Sequence, residues 1–247
     1  MRELEICCDN WVSALTAQKG GAHRIELCSA ITEGGLTPSF GLIKQAIKKI
    51  SIPIHILIRP RSGDFLYSDD EIEIMKTDVA FCKKQGAAGV VLGFLTSEGD
   101  IDVKLTKKFV DLARPMKVTF HRAFDMCKDP FIALDELKEI GVDYILTSGQ
   151  ASTAEKGSEL IKELVDKQGR HLKIMPGSGV RDHNIAELLA YTKASSFHLS
   201  ARIMDESKMT YRKSSVAMGH ETIDKEYQII NHDEDSIRLA RNILSSR

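Results

Sequence analysis

No part of the chain strings together the roughly 18 apolar residues that a membrane-crossing helix needs, and the opening MRELEI lacks the basic-then-apolar build of a secretory leader. A soluble, intracellular protein without a membrane partner is expected. Neither sign of charge is in surplus: 34 Lys and Arg stand against 35 Asp and Glu, and the cations are spread along the expected helices instead of gathering in a patch. Phosphate backbones are gripped by clustered cations, so nucleic acid is not an expected partner. Cysteine is sparse, and five is an odd number in a chain of this size. These residues read as thiols, not as a disulfide framework.

What is present is a repeat. The 247 residues, 43% hydrophobic and 28% charged, suit one large domain, and about 250 residues is typical of a (β/α)8 barrel. Strands are expected at 4–8, 24–28, 54–58, 86–95, 117–121, 144–147, 172–175 and 197–199. They lie roughly 20 to 35 residues apart with amphipathic sequence between each pair. The corresponding helices fall between the first two strands, with a Gly20-Gly21 stop, and at 40–49, 69–85, 103–113, 130–140, 155–168 and 182–191. Asp129-Pro130 opens the helix over 130–140 as cap followed by proline. After the eighth strand a long loop, 201–232, precedes a C-terminal helix near 234–245, within the closing segment 233–247. A loop of that length serves as a cover over the barrel mouth, as a subunit contact, or has no fixed structure.

Parity selects the fold. Strand side chains alternate with period two, so Glu5 and Cys7 share one face of the first strand, as Arg24, Glu26 and Cys28 do on the second. His55 and Arg59, Thr119 and His121, and His198 and Ser200 pair in the same way on the third, fifth and eighth. The opposite faces carry Leu4, Ile6, Ile25, Leu27, Ile54, Ile56, Ile58, Val118, Phe120, Phe197 and Leu199. A doubly wound sheet, covered by helices on both sides, offers no face to so many polar groups, whereas the inside of a closed barrel does. The expected fold is an α/β single-domain (β/α)8 TIM barrel.

Barrels of this kind place their sites at the C-terminal ends of the strands. There the sequence sets Cys7, Glu26, Cys28, Arg59, Arg61, Asp64, His121, Arg122, Asp125, Ser148, His198, Ser200 and Arg202. Cys7 and Cys28 end adjacent strands, about 5 Å apart, and two soft sulfurs at that spacing suit Cu(I). The alternative is two ordinary core thiols. In IRPRSGDF, two arginines can grip a carboxylate or phosphate, with Asp64 beside them, and HRAFD adds an imidazole, a guanidinium and a carboxylate. The loop PGSGV, with Gly177 and Gly179, has the composition of an anion cradle, or of a tight βα turn that simply needs glycine. In one arrangement Arg59 and Arg61 hold a substrate anion, Glu26 or His121 acts as acid/base, and Asp125 orients its partner. In the other, the charges only neutralise one another, as Glu26 with Arg59 would. Lys117 and Lys173 begin their strands and none ends in lysine, which disfavours Schiff-base chemistry.

The segments GGAHRIELCSAITEGGLTPS, IRPRSGDFLYSDDEIE, TFHRAFDMCKDP, ILTSGQ, IMPGSGV, FHLSAR and SSVAMG together resemble the CutC family of copper homeostasis proteins. The resemblance implies a (β/α)8 barrel, a cytoplasmic location extending to the nucleus, homo-oligomers (dimer or tetramer), and association with copper as Cu(I). The family's paired cysteines fall on Cys7 and Cys28. Two departures, SGQ after the sixth strand and PGSGV after the seventh, are less glycine-rich than the family pattern and bear on any anion site there. Two functions stay open: a Cu(I)-binding homeostasis protein, or an enzyme acting on a small anionic metabolite.

Overall fold

The segment ELEICC forms strand β1 (Glu3–Cys8), and the computed structural model, which describes residues 2–216, 218 and 223–246, builds a parallel barrel around it. The other staves are β2 (Arg24–Leu27), β3 (Ile54–Leu57), β4 (Gly89–Leu92), β5 (Lys117–Phe120), β6 (Tyr144–Thr147), β7 (Lys173–Pro176) and β8 (Ser196–Leu199). The hydrogen-bonded order is β7-β6-β5-β4-β3-β2-β1-β8, so β1 pairs with both β2 and β8. The two ends of that order, β7 and β8, are neighbours in space, which nearly closes the ring. The alternation of side chains sorts the core in two. Leu4, Ile6, Ile25, Leu27, Ile56, Val118, Phe120, Phe197 and Leu199 pack between the staves and the helices, whereas Cys7, Cys28, Leu57 and Val91 form a separate small cluster inside the barrel.

The helices are α1 (Trp11–Lys19), α2 (Phe40–Lys49), α3 (Asp69–Gln85), α4 (Val103–Ala113), α5 (Pro130–Ile140), α6 (Ser158–Lys167), α7 (Ile185–Thr192) and α8 (Glu234–Ser245). Their starts follow from side-chain caps: Asn10 with Ser13 and Ser68 with Glu71 each satisfy two free backbone N–H groups in a capping box. Asp129 accepts from Phe131 and Ile132 N–H ahead of Pro130. Helix α6 begins three residues later than the sequence pattern indicates, because residues 151–157 form turns.

The segment expected to be a long loop, 201–232, instead carries an antiparallel hairpin of β9 (Arg202–Glu206) and β10 (Gln228–His232). Ala217 and residues 219–222 of that segment, and with them part of SSVAMG, lie outside the described residues. The strands RIMDE and QIINH alternate weakly and no tight turn joins them, so no local signal marks the pair.

Candidate functional site

Below the mouth, the polar face of the barrel is tied up by charge. Arg24 Nε donates to Glu5 Oε2 at 2.5 Å, its guanidinium covers the Tyr144 ring at 4.2 Å, and Lys173 reaches Glu3 at 2.6 Å. Glu5 also lies 2.8 Å from His198 Nδ1. Burial alone would raise Glu5, but Arg24 and His198 outweigh it and hold the carboxyl well below the usual range. The salt-bridge network foreseen inside the barrel therefore exists, though its carboxylate is Glu5. The pairing of Glu26 with Arg59 does not form. The Arg59 guanidinium instead donates to three backbone carbonyls, of Glu33 (3.1 Å), Gly35 (3.1 Å) and Gly63 (2.7 Å), and stacks over Phe65 at 5.1 Å.

Above this plug the staves open into a cavity of about 430 Å3. On its floor Cys7 Sγ and Cys28 Sγ are 3.7 Å apart, both buried. The His198 imidazole approaches Cys7: its Nε2 is 3.7 Å from Glu26 Oε2, and a sulfur of Cys7, an oxygen of Glu26 and a nitrogen of His198 lie within 4.8 Å of one another, a cluster without Cys28. The register that pairs Cys7 with Glu26 across β1 and β2, and Glu5 with His198 across β1 and β8, brings these groups together. Gly177 leaves room for the imidazole, since a Cβ there would lie 3.3 Å from the His198 Cβ and 2.5 Å from Leu146. Protonation follows from the packing. The contact with Cys28 and burial push the Cys7 thiol well above its ordinary value. At Cys28 the hydrogen bond from Cys7 lowers and burial raises, and the rise prevails. Burial also raises Glu26. It would lower His198, but Glu26, Cys7 and Glu5 together raise that imidazole well above its usual range. The floor thus holds two protonated thiols beside an imidazolium, each able to release its proton to solvent when a metal ion takes its place.

Of the residues singled out by the sequence, Cys7, Glu26, Cys28, Arg59, His121, Arg122, Asp125, Gly179, His198 and Ser200 line this cavity, as does Arg202. Arg61, Asp64, Ser148 and Gly177 are not among its lining. Arg61 turns outward to Glu71 (2.6 Å) and Asp64 (3.1 Å), drawn by the carboxylate that caps α3. Ser148 works behind the wall: its N–H and hydroxyl, with Thr147, Gln150 and Arg122, saturate the Asp125 carboxylate. Asp125 therefore does not orient His121, whose Nδ1 accepts from Ala123 N–H at 3.2 Å while its Nε2 is buried without a partner. Burial, with Arg59 nearby, pushes His121 down to about 3 and leaves it neutral. The sequence reading missed Arg181, which lines the cavity just past the PGSGV loop and donates to Ser200 Oγ at 3.2 Å. A cation immediately after a glycine-rich loop at a strand end was the available signal.

Comparison with known proteins agrees with this architecture. The CutC family model matches residues 2–203. A CutC family protein of Parabacteroides distasonis is 48% identical over 238 residues, spanning 96% of this chain and 98% of its own. The mouse copper homeostasis protein cutC homolog is 45% identical over 98% of this chain and 90% of its own. The crystal structure of a CutC protein from Streptococcus agalactiae superposes with a TM-score of 0.76 at 31% identity, covering 80% of this chain and 98% of that one. Phosphoribosyl anthranilate isomerase from Thermotoga maritima, at 13% identity and a TM-score of 0.60 over 99% of this chain and 98% of its own, shares the fold alone. With a barrel of this order and relatives matched nearly end to end, the chain belongs to the CutC family.

Proposed function

We propose that the chain is a copper homeostasis protein that holds one Cu(I) ion on Cys7 and Cys28 at the floor of the barrel mouth, with His198 and Glu26 beside them. The observation that carries this reading is the 3.7 Å separation of two buried sulfurs in an open-topped cavity. With metal–sulfur bonds of about 2.3 Å, a straight S–metal–S arrangement needs sulfurs about 4.6 Å apart. The sulfurs are closer than that, and a nitrogen of His198 lies within 4.8 Å of Cys7 Sγ in a cluster with Glu26 that does not extend to Cys28. Glu5 would then keep the Nδ1 proton of that imidazole and orient it, as carboxylates do behind metal-bound histidines. Soft thiolates with one imidazole favour Cu(I) over hard cations such as Mg2+. The family's copper homeostasis names point the same way.

Because the thiols stay protonated until an ion arrives, binding releases protons and tightens as pH rises. The test is titration of the reduced full-length chain with Cu(I) against a competing chelator, with Zn2+ in parallel. One equivalent of Cu(I) should bind, and Cys7→Ser with Cys28→Ser should abolish it while leaving the folded spectrum intact. Unchanged Cu(I) affinity in that variant, or a preference for Zn2+ in the wild type, rejects the assignment.

A further inference from the structure

The mouth has far more room than one ion requires. Its volume of about 430 Å3 lies within the roughly 300–1,000 Å3 of pockets that hold organic ligands, and the thiols and His198 occupy only the floor. Its walls are cationic. Among the four arginines that line it, Arg122 is matched by Asp125 at 2.7 Å, whereas Arg59, Arg181 and Arg202 have no carboxylate within ion-pair distance among the described residues. Of the lining acids, Glu26 is engaged by His198, Asp125 is saturated as described, and Glu33 is exposed at the rim.

Two residues of the lining also carry a buried donor atom with no hydrogen-bond partner of good geometry among the described residues. Arg59 Nε and His121 Nε2 are buried without a hydrogen-bond partner, in residues only 6% and 5% exposed. His121 Nδ1 already accepts from Ala123 N–H, so its proton sits on Nε2. A buried donor left unpaired is costly, and a small movement of either side chain toward a ligand oxygen in the cavity would offset that cost. On the opposite wall, Ser178 and Gly179 both adopt left-handed backbone (φ 70° and 74°), and the N–H groups of Ser178, Gly179 and Val180 make no hydrogen bond among the described residues. Arg181 joins this wall to the β8 end through Ser200, with Arg202 next to it in the lining. Loops after the seventh and eighth strands are where (β/α)8 proteins commonly receive an anion.

We propose that the cavity binds a small metabolite bearing a carboxylate or a phosphate monoester, its anionic group seated on Ser178–Val180 N–H, Arg181 and Arg202, and its polar body reaching Arg59 and His121. This site uses none of the groups assigned to copper and stands or falls apart from that assignment.

The experiment is calorimetric titration of the full-length, reduced, copper-free chain with glycerol 3-phosphate and, separately, succinate, at constant ionic strength. Saturable binding of at least one probe is expected, weakened at least about tenfold by Arg181→Gln with Arg202→Gln, and unaffected by Lys107→Gln on the outer face of α4. The tighter of the two probes identifies the anionic group. Backbone amide shifts of the wild type under the same titration give a reading that needs no variant: Ser178, Gly179 and Val180 should move first. The proposal is overturned if neither probe saturates at millimolar concentration, if the double variant binds as wild type does, or if the shifts fall elsewhere. A failed copper titration would leave each of these results intact.

Discussion

Glu5 is the residue on which the interior charges depend. Its side chain is wholly buried, and it meets Arg24 at 2.5 Å and His198 at 2.8 Å. Glu5→Gln would remove the closest counter-charge of a buried guanidinium and a buried imidazolium, leaving Glu3 and Glu26 at 3.7 Å as their remaining partners, and losses of up to about 3–5 kcal/mol follow when one partner of such a pair is removed. Urea unfolding at neutral pH should show that loss, and a loss under about 1 kcal/mol would mean that water reaches the plug. His121 carries a pH signature of its own. Its imidazole titrates near 3 in the folded chain against 6.5 in an unfolded one, so the folded state binds fewer protons between those values. Stability is therefore complete above about pH 6.5 and drains away as pH falls toward 3, at about 1.4 kcal/mol per pH unit for this residue. Replacing His121 with Asn should flatten the measured pH–stability slope by that amount. An unchanged slope would show that the imidazole protonates freely in the fold.

At the scale of elements, turns behind the mouth are less forgiving than the helices around it. Gly149, just past β6, has φ +69°, and a Cβ there would lie 2.2 Å from the Gly157 carbonyl oxygen. Left-handed backbone alone costs a non-glycine residue about 1–2 kcal/mol, and the clash with fixed backbone adds to it. Gly149→Ala should thus lower the unfolding free energy by more than about 2 kcal/mol, whereas Gly41→Ala in α2, where nothing lies within 4 Å, should raise it by up to about 1 kcal/mol. Equal effects in thermal scans would refute the contrast. The staves themselves were legible from residues 4–8 and 24–28, because alternation of charged and apolar side chains on strands admits few folds other than a closed barrel. Cys7, Glu26 and Cys28 were legible for the same reason, since parity and adjacency suffice to bring them together. Arg59 and Arg61 were not. They have the same chemistry two positions apart, and only the Glu33–Gly35 carbonyls and the Glu71 cap decide that one lines the cavity while the other leaves it. Arg181 had only the weak signal of its place after PGSGV, because its orientation rests on a left-handed loop, and the β9–β10 hairpin was illegible because it rests on pairing between distant segments.

For the molecule as a whole, the position of Cys7 is set by residues that come more than two hundred positions later. The family model stops at residue 203, as β9 begins, yet the chain beyond it returns to the end of β1. His232 Nε2 donates to the Cys7 carbonyl at 2.7 Å, Asn10 Nδ2 donates to the Ile230 carbonyl at 2.9 Å, and Ile237, Ala240 and Leu244 of α8 are buried. The ring is thus sealed behind the very strand that presents one of the two thiols. His232→Ala would leave a buried carbonyl without its donor, a cost of about 1–3 kcal/mol, and would free the β1 end from the hairpin. Cu(I) affinity should fall in chelator competition, because the spacing of the two sulfurs would no longer be held. Stability lost with Cu(I) affinity unchanged would mean that the hairpin braces the fold without tuning the thiols. No change in either would mean that the His232 bond to Cys7 does not form in solution.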